Sequence, residues 1–143
     1  MKPMKQLFKH NPPEAFGDCD RTCFACLLNM PSPDALSNWG EHHDDSASFY
    51  AARDAELAKH GVTTVCIPFA ADLDMLLSSM KNTNPGVYYL LGGKSRDGTC
   101  HTVICLDDKI VHDPAIDNSG IVAPCDDGFY WVDLIVPLIM RAE

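Results

Sequence analysis

The spacing of apolar positions changes period along the chain. Cys19, Cys23 and Cys26 recur at helical spacing, and residues 19–29 predict a helix with Asp18 as N-cap, Asp20 in the first turn and Pro31 beyond its end. Ser32-Pro33-Asp34 predicts a second, short helix that ends near Trp39-Gly40. Asp45 or Ser46 caps a longer one running to about Lys59, with Gly61 as terminator. Residues 62–69 are rich in β-branched side chains and predict a strand, with Pro68 marking an edge or an end. Residues 72–81 place Leu73, Leu76, Leu77 and Met80 on one helical face. Asn84-Pro85-Gly86 predicts a turn. From there the pattern is that of strands, at 87–91, 101–106, 110–112 and 130–136, with Gly92-Gly93 and Asp97-Gly98 as breakers. Residues 1–16, with Pro12-Pro13, carry little periodicity and predict an extended lead-in.

Helices first and an antiparallel sheet after them predict an α+β fold, with N-terminal helices packed on a C-terminal sheet. No repeat, low-complexity tract or linker divides the chain, so 1–143 is expected to form one domain. A hydrophobic content of 46% is enough for a real core. The apolar runs are too short to span a bilayer, and the basic start Met1-Lys2-Pro3-Met4-Lys5 is not followed by a continuous apolar segment. A cytoplasmic protein without a secretory signal is expected. Its seven cysteines are then expected to be reduced, most of them packing as small hydrophobes. The net charge of −9 argues against nucleic-acid and anionic-membrane partners, both of which select clustered Lys and Arg.

Three residues in chain order change the picture from a bland domain to a candidate enzyme. Cys19 opens a helix, His101 lies on a strand, and Asp113 follows the next strand. A thiol attacks as its thiolate, which a helix N-terminus and a nearby histidine both favour. Cys19 is placed for nucleophile, His101 for base and Asp113 for holding the imidazole in the correct tautomer, with no cofactor or metal. Cys23 and Cys26 share the helical face of Cys19 but lie below its open end, which assigns them to packing. The hairpin joining the two strands supplies a check. A plain two-residue turn at Asp107-Asp108 pairs 103 with 112 and puts Asp113 on the face opposite His101. A three-residue turn or a bulge puts both on one face. An oxyanion hole needs a second donor besides the Cys19 N–H, and Gln6, His10 and Asn11 are the candidates. Trp39, Trp131 and Tyr130 can wall a cleft, although core packing is the expected role of each.

Asp18-Cys19-x-x-Thr22-Cys23-x-Ala25, His101-Thr102-Val103-Ile104 and Asp113-Pro114-Ala115 resemble the motifs of the peptidase domain that trims double-glycine leaders from bacteriocins, a member of the papain-like cysteine peptidase superfamily. The Cys-x-x-x-Cys-x-x-x-Leu-Leu helix and the His-Asp-Pro stretch are also similar to small papain-like proteins of bacteriophages. The resemblance implies a papain-like fold, a Cys19–His101–Asp113 triad, a peptide or protein substrate, and cleavage of an amide, peptide or isopeptide bond through a thioester. The family has glycine where this chain has Asp20, and an oxyanion glutamine six residues before the cysteine, where this chain has Pro13.

The alternative from another class is a papain-like binding module, catalytically weak or inactive, acting as a phage-type inhibitor or adaptor of a partner protein. Two further readings are disfavoured. Cys19-x-x-x-Cys23-x-x-Cys26 has the spacing of a radical-enzyme iron–sulfur site, but the alternating βα pattern of a barrel is absent. Zinc held by these cysteines with His42, His43 or His112 lacks a second Cys-x-x-Cys pair.

Overall fold

The computed structural model describes residues 1–142. It is α+β, with three α-helices and a five-stranded antiparallel sheet. The helices are α1 (Cys19–Leu27), α2 (Ser46–Ala58) and α3 (Leu73–Thr83). The strands are β1 (Val62–Phe69), β2 (Tyr88–Lys94), β3 (Cys100–Leu106), β4 (Lys109–His112) and β5 (Tyr130–Pro137), in the spatial order β1-β5-β2-β3-β4. Among the described residues no helix is long and apolar enough to cross a membrane.

Period-two alternation along the central strands divides the core in two. Leu90 and Ile104 point to the face covered by α1 and α2, where Cys23, Phe24, Ala25, Cys26, Leu36, Trp39 and Leu57 complete one cluster. Tyr89, Leu91, Val103 and Cys105 point the other way, onto Leu76 and Met80 of α3. The sheet is therefore covered on both faces. Nor is it purely C-terminal, because β1 precedes α3 and pairs along its whole length with β5. Pro68 sits on this edge strand, where its missing N–H costs no ladder bond.

Local chemistry accounts for most element ends. Asp45 accepts from Ala47 N and Ser48 N at the start of α2, and Asp72 accepts from Met75 N at the start of α3. Gly61, at φ +74°, turns the chain from α2 into β1. Two expectations fail. Residues 32–40 form no α-helix but two short 3-10 turns, Pro33–Ala35 and Trp39–His42, which seat Leu36 and Trp39 in the core. Gly92-Gly93 does not break its strand: β2 runs through both to Lys94. A Cβ on Gly93 would lie 2.7 Å from Ile121 Cγ2 and 2.9 Å from Ala123 O, so glycine there serves the close approach of the 121–123 segment.

Candidate active site

The position of Asp113 is settled by one residue in the β3–β4 hairpin. The turn itself is short, with Leu106 opposite Lys109, and Asp107 takes φ +54°. Gly86 N donates to Asp107 Oδ1 at 2.8 Å and Tyr89 Oη to Asp107 O at 2.8 Å, which hold that left-handed residue in place. Cys105 then pairs with Ile110, whereas Ile104 pairs with His112. Val111 is thus the extra residue of a β-bulge, and it restores the register that turns Asp113 to the side of His101. His101 Nε2 and Asp113 Oδ1 lie 2.6 Å apart. An ionised carboxylate only accepts, so Nε2 carries the proton and Nδ1 is left for the thiol. The Cys19 side chain is near enough to act on the charge of the ring.

Charge follows geometry. Burial opposes protonation of His101, yet the bond to Asp113 and the neighbouring Cys19 raise its pKa from 6.5 to about 9. Burial works against the Asp113 carboxylate too, but the bond to His101 and two backbone donors hold it down at about 2. Those donors are Ala115 N, 2.9 Å from Oδ1, and Gly120 N, 2.8 Å from Oδ2. The loop carrying Asp113 is clamped in turn by Lys5, whose Nζ donates to Asp113 O at 2.9 Å, Ala115 O at 2.8 Å and Asn118 Oδ1 at 2.6 Å.

Cys19 is the first residue of α1, where backbone N–H groups lack intrahelical acceptors and the helix dipole favours an anion. Cys23 and Cys26 are fully buried beneath it. Asp18, expected to cap this helix, makes no side-chain cap. It is 1% exposed beside the buried Arg21, and its Oδ2 accepts from Arg21 Nη2 at 2.6 Å and from Leu7 N at 3.2 Å, while Oδ1 accepts from Phe8 N at 2.9 Å. A buried charge takes a cation and fixed donors ahead of an optional cap. Asp20 likewise turns inward. It accepts from Trp39 Nε1 at 3.0 Å, Arg53 Nη1 at 3.3 Å and Thr102 Oγ1 at 3.3 Å. The residue after the candidate nucleophile is thereby bonded to the residue after the candidate base.

Cys19 and His101 both line a cleft of about 260 Å³, together with Gln6, Lys9, His10 and Ser119. Of the oxyanion candidates, Gln6 is in this wall; its Nε2 donates to Phe8 O at 2.7 Å and its Oε1 is buried without a partner. His10 also reaches the cleft, but its Nδ1 accepts from Gly17 N at 3.0 Å. Asn11 is exposed and outside the lining; it pairs with Ala15 to close the small loop that contains Pro13. That loop is an excursion between Gln6 and Cys19, so an amide can reach the site from further back than the family spacing. Trp39 and Tyr130 are core residues, and Trp131 bonds Asp127 away from the cleft.

The lead-in carries the functional residues that sequence reasoning missed. Lys2 N donates to Cys26 O at 3.0 Å and Gln6 N to Pro114 O at 2.8 Å. His112 Nε2 bonds Met4 O at 2.6 Å, which leaves this histidine a strap on the lead-in and no free ligand. The alternation Lys5, Leu7 against Gln6, Phe8 gave no warning, because its partners lie more than a hundred residues away or at Asp18, just before α1. Among the described residues no group of three or more His, Cys, Asp or Glu side chains is arranged to hold a metal ion. Compared with protein-family models, curated proteins and solved structures, the chain matches none.

Proposed function

We propose that the protein is a papain-like cysteine hydrolase that cleaves an amide, peptide or isopeptide bond of a peptide or protein substrate in the cytoplasm. The observation that carries this reading is His101, hydrogen-bonded to Asp113 at 2.6 Å and sharing the wall of an open cleft with Cys19. In this reading the Cys19 proton already resides on His101, and Cys19 Sγ attacks the carbonyl carbon as the thiolate. The tetrahedral oxyanion meets the Cys19 N–H at the helix start and the second N–H of Gln6 Nε2. Collapse expels the amine, which receives its proton from His101, and leaves a thioester at Cys19. Water, deprotonated by the same imidazole, attacks the thioester and releases the acid. Asp113 keeps Nε2–H oriented and stabilises the imidazolium throughout.

The test is covalent labelling with a thiol-reactive amide probe, followed by peptide mapping. Rapid labelling of Cys19 that His101→Ala abolishes is the expected result, with a loss of about 100-fold or more in rate. Slow labelling of Cys19, equal to that of the buried Cys23 and Cys105, overturns the hydrolase and supports the binding module.

A further inference from the structure

The two edges of the sheet are built differently. β4 is blunted against further pairing: it has four residues, opens on Lys109 and carries the bulge at Val111. β1 has none of these features. It runs for eight residues, holds one unbroken register against β5 and contains no charged side chain. In a chain of net charge −9, it is a length of edge on which a second strand meets no like-charge repulsion. Val65 and Ile67 are 44% and 38% exposed along it, and Cys66 and Pro68 are exposed as well.

Ladder parity fixes where the β1 backbone points. Leu138 N donates to Gly61 O at 2.9 Å, so position 61 is bonded towards β5. Bonded and non-bonded pairs alternate in an antiparallel ladder. Thr63, Val65, Ile67 and Phe69 therefore turn N–H and C=O to β5, whereas Val62, Thr64, Cys66 and Pro68 turn theirs outward. Pro68 agrees with this parity, because a proline fits only where β5 asks for no N–H. Among the described residues no acceptor meets the outward N–H groups of Val62, Thr64 and Cys66. Backbone groups left unpaired in a row are a template for another strand.

The same parity selects the strand. The outward donors, at 62, 64 and 66, are centred on Thr64. A two-fold axis there sets Thr64 against Thr64 of a second copy and Val62 against Cys66 in both directions, so every donor meets a carbonyl. Pro68 then falls opposite His60, beyond the strand, and its missing N–H loses nothing. An axis at Cys66 would set Pro68 against Thr64 and forfeit a bond at each end. The side chains fit the first register too. Val65 lies opposite Thr63, and Ile67 opposite Gly61, where even a Cβ would meet nothing within 4 Å. We propose that β1 is a dimerisation edge, through which two copies of this chain pair antiparallel about a two-fold axis at Thr64 and join their sheets. The contact is a strand edge and not a broad face, so the dimer is concentration-dependent. β5 and β2 separate β1 from β3, which carries His101, so pairing leaves the cleft free and the proposal stands without the hydrolase reading.

Sedimentation velocity on the full chain, from about 1 μM to about 1 mM, should show a reversible monomer–dimer equilibrium. Cys66→Pro removes an outward N–H from each copy and no bond to β5. It should weaken the dimer at least about tenfold with the circular dichroism of the parent. Val65→Lys, which sets two cations diagonally across the axis, should weaken it without altering the backbone, and it decides the matter if Cys66→Pro does not fold. The register is read by cross-linking in a chain carrying Cys66→Ser. Thr64→Cys should give a dimer linked through position 64 on mild oxidation, because facing Cα atoms in a bonded pair are about 5.5 Å apart. Val65→Cys should not, because 65 faces 63. A parent that stays monomeric across the range overturns the proposal and leaves the edge to a strand of another protein. A dimer undiminished in folded Cys66→Pro or in Val65→Lys, or linked as readily through Val65→Cys as through Thr64→Cys, overturns it as well.

Discussion

The two faces of the sheet are held by different forces. On the α3 side the contacts are almost entirely apolar, Leu76 and Met80 against Tyr89, Leu91, Val103 and Val132. On the α1–α2 side an apolar cluster of similar extent is threaded by buried charge. Arg53, 3% exposed, reaches Asp20 at 3.3 Å and Asp133 at 3.3 Å and lies over the rings of Tyr50 and Phe24. Arg21 pairs with Asp18. Apolar contact is non-directional and tolerates sliding, whereas ion pairs and their hydrogen bonds fix an angle. The directional face is the one that carries Cys19. Desolvated charge is an expensive way to stabilise a fold, and here it orients the mouth of α1 against β3.

That contrast can be broken at its strongest point. Arg53→Met leaves Asp20 and Asp133 buried without their cation and should cost about 3–5 kcal/mol in chemical denaturation. In the fraction that remains folded, Cys19 labelling should fall as well; a folded variant with unchanged labelling removes the orienting role. Adding Asp133→Asn to the same chain should recover part of the stability, because it removes one of the two stranded carboxylates. On the apolar face, Leu76→Ala should cost about 3 kcal/mol through lost burial and the cavity left behind. Its labelling rate at Cys19 should match the parent, and a large drop would show that the two faces are not separable in function.

The smallest effect belongs to the pair between His101 and Asp113. Asp113→Asn should cost about 2 kcal/mol near pH 5, measured as the difference in unfolding free energy from the parent across pH. Asp113 titrates lower folded than unfolded, so its contribution is present above 3.8 and lost as pH falls through about 2. His101 titrates higher folded than unfolded, so its contribution is full below 6.5 and lost as pH rises through about 9. The difference should therefore be a plateau between these limits that declines on both sides. A difference that does not vary with pH would mean that the bond is not an ion pair.

Periodicity made β1, α2 and α3 legible, because each presents an amphipathic face or a β-branched run with its stop signal in place. The order Cys19, His101, Asp113 was legible too, and so was the demand for an irregular hairpin, since strand parity is a counting argument. Which residue supplies the bulge was not, because nothing in Lys109-Ile110-Val111-His112 distinguishes Val111 from its neighbours. Asp18 and Asp20 read as helix-start acids, but their cations, Arg21 and Arg53, are recognised only once burial removes water as the competitor. Gly92-Gly93 read as a break because the residues that need the space, Ile121 and Ala123, are distant in sequence. Lead-in residues bonding to Asp113, Pro114 and Cys26 leave no periodic trace at all.

Those lead-in bonds also have a meaning in time. Lys5 and Gln6 leave the ribosome before Asp113 and Pro114, by roughly 5–20 s at usual elongation rates, yet they bond to that later stretch. Asp113 itself waits for the N–H of Gly120. The helix bearing Cys19 is synthesised well before His101 and Asp113. A nascent chain therefore exposes a thiol but no assembled candidate site, and the cleft matures only once the chain has been made through Gly120.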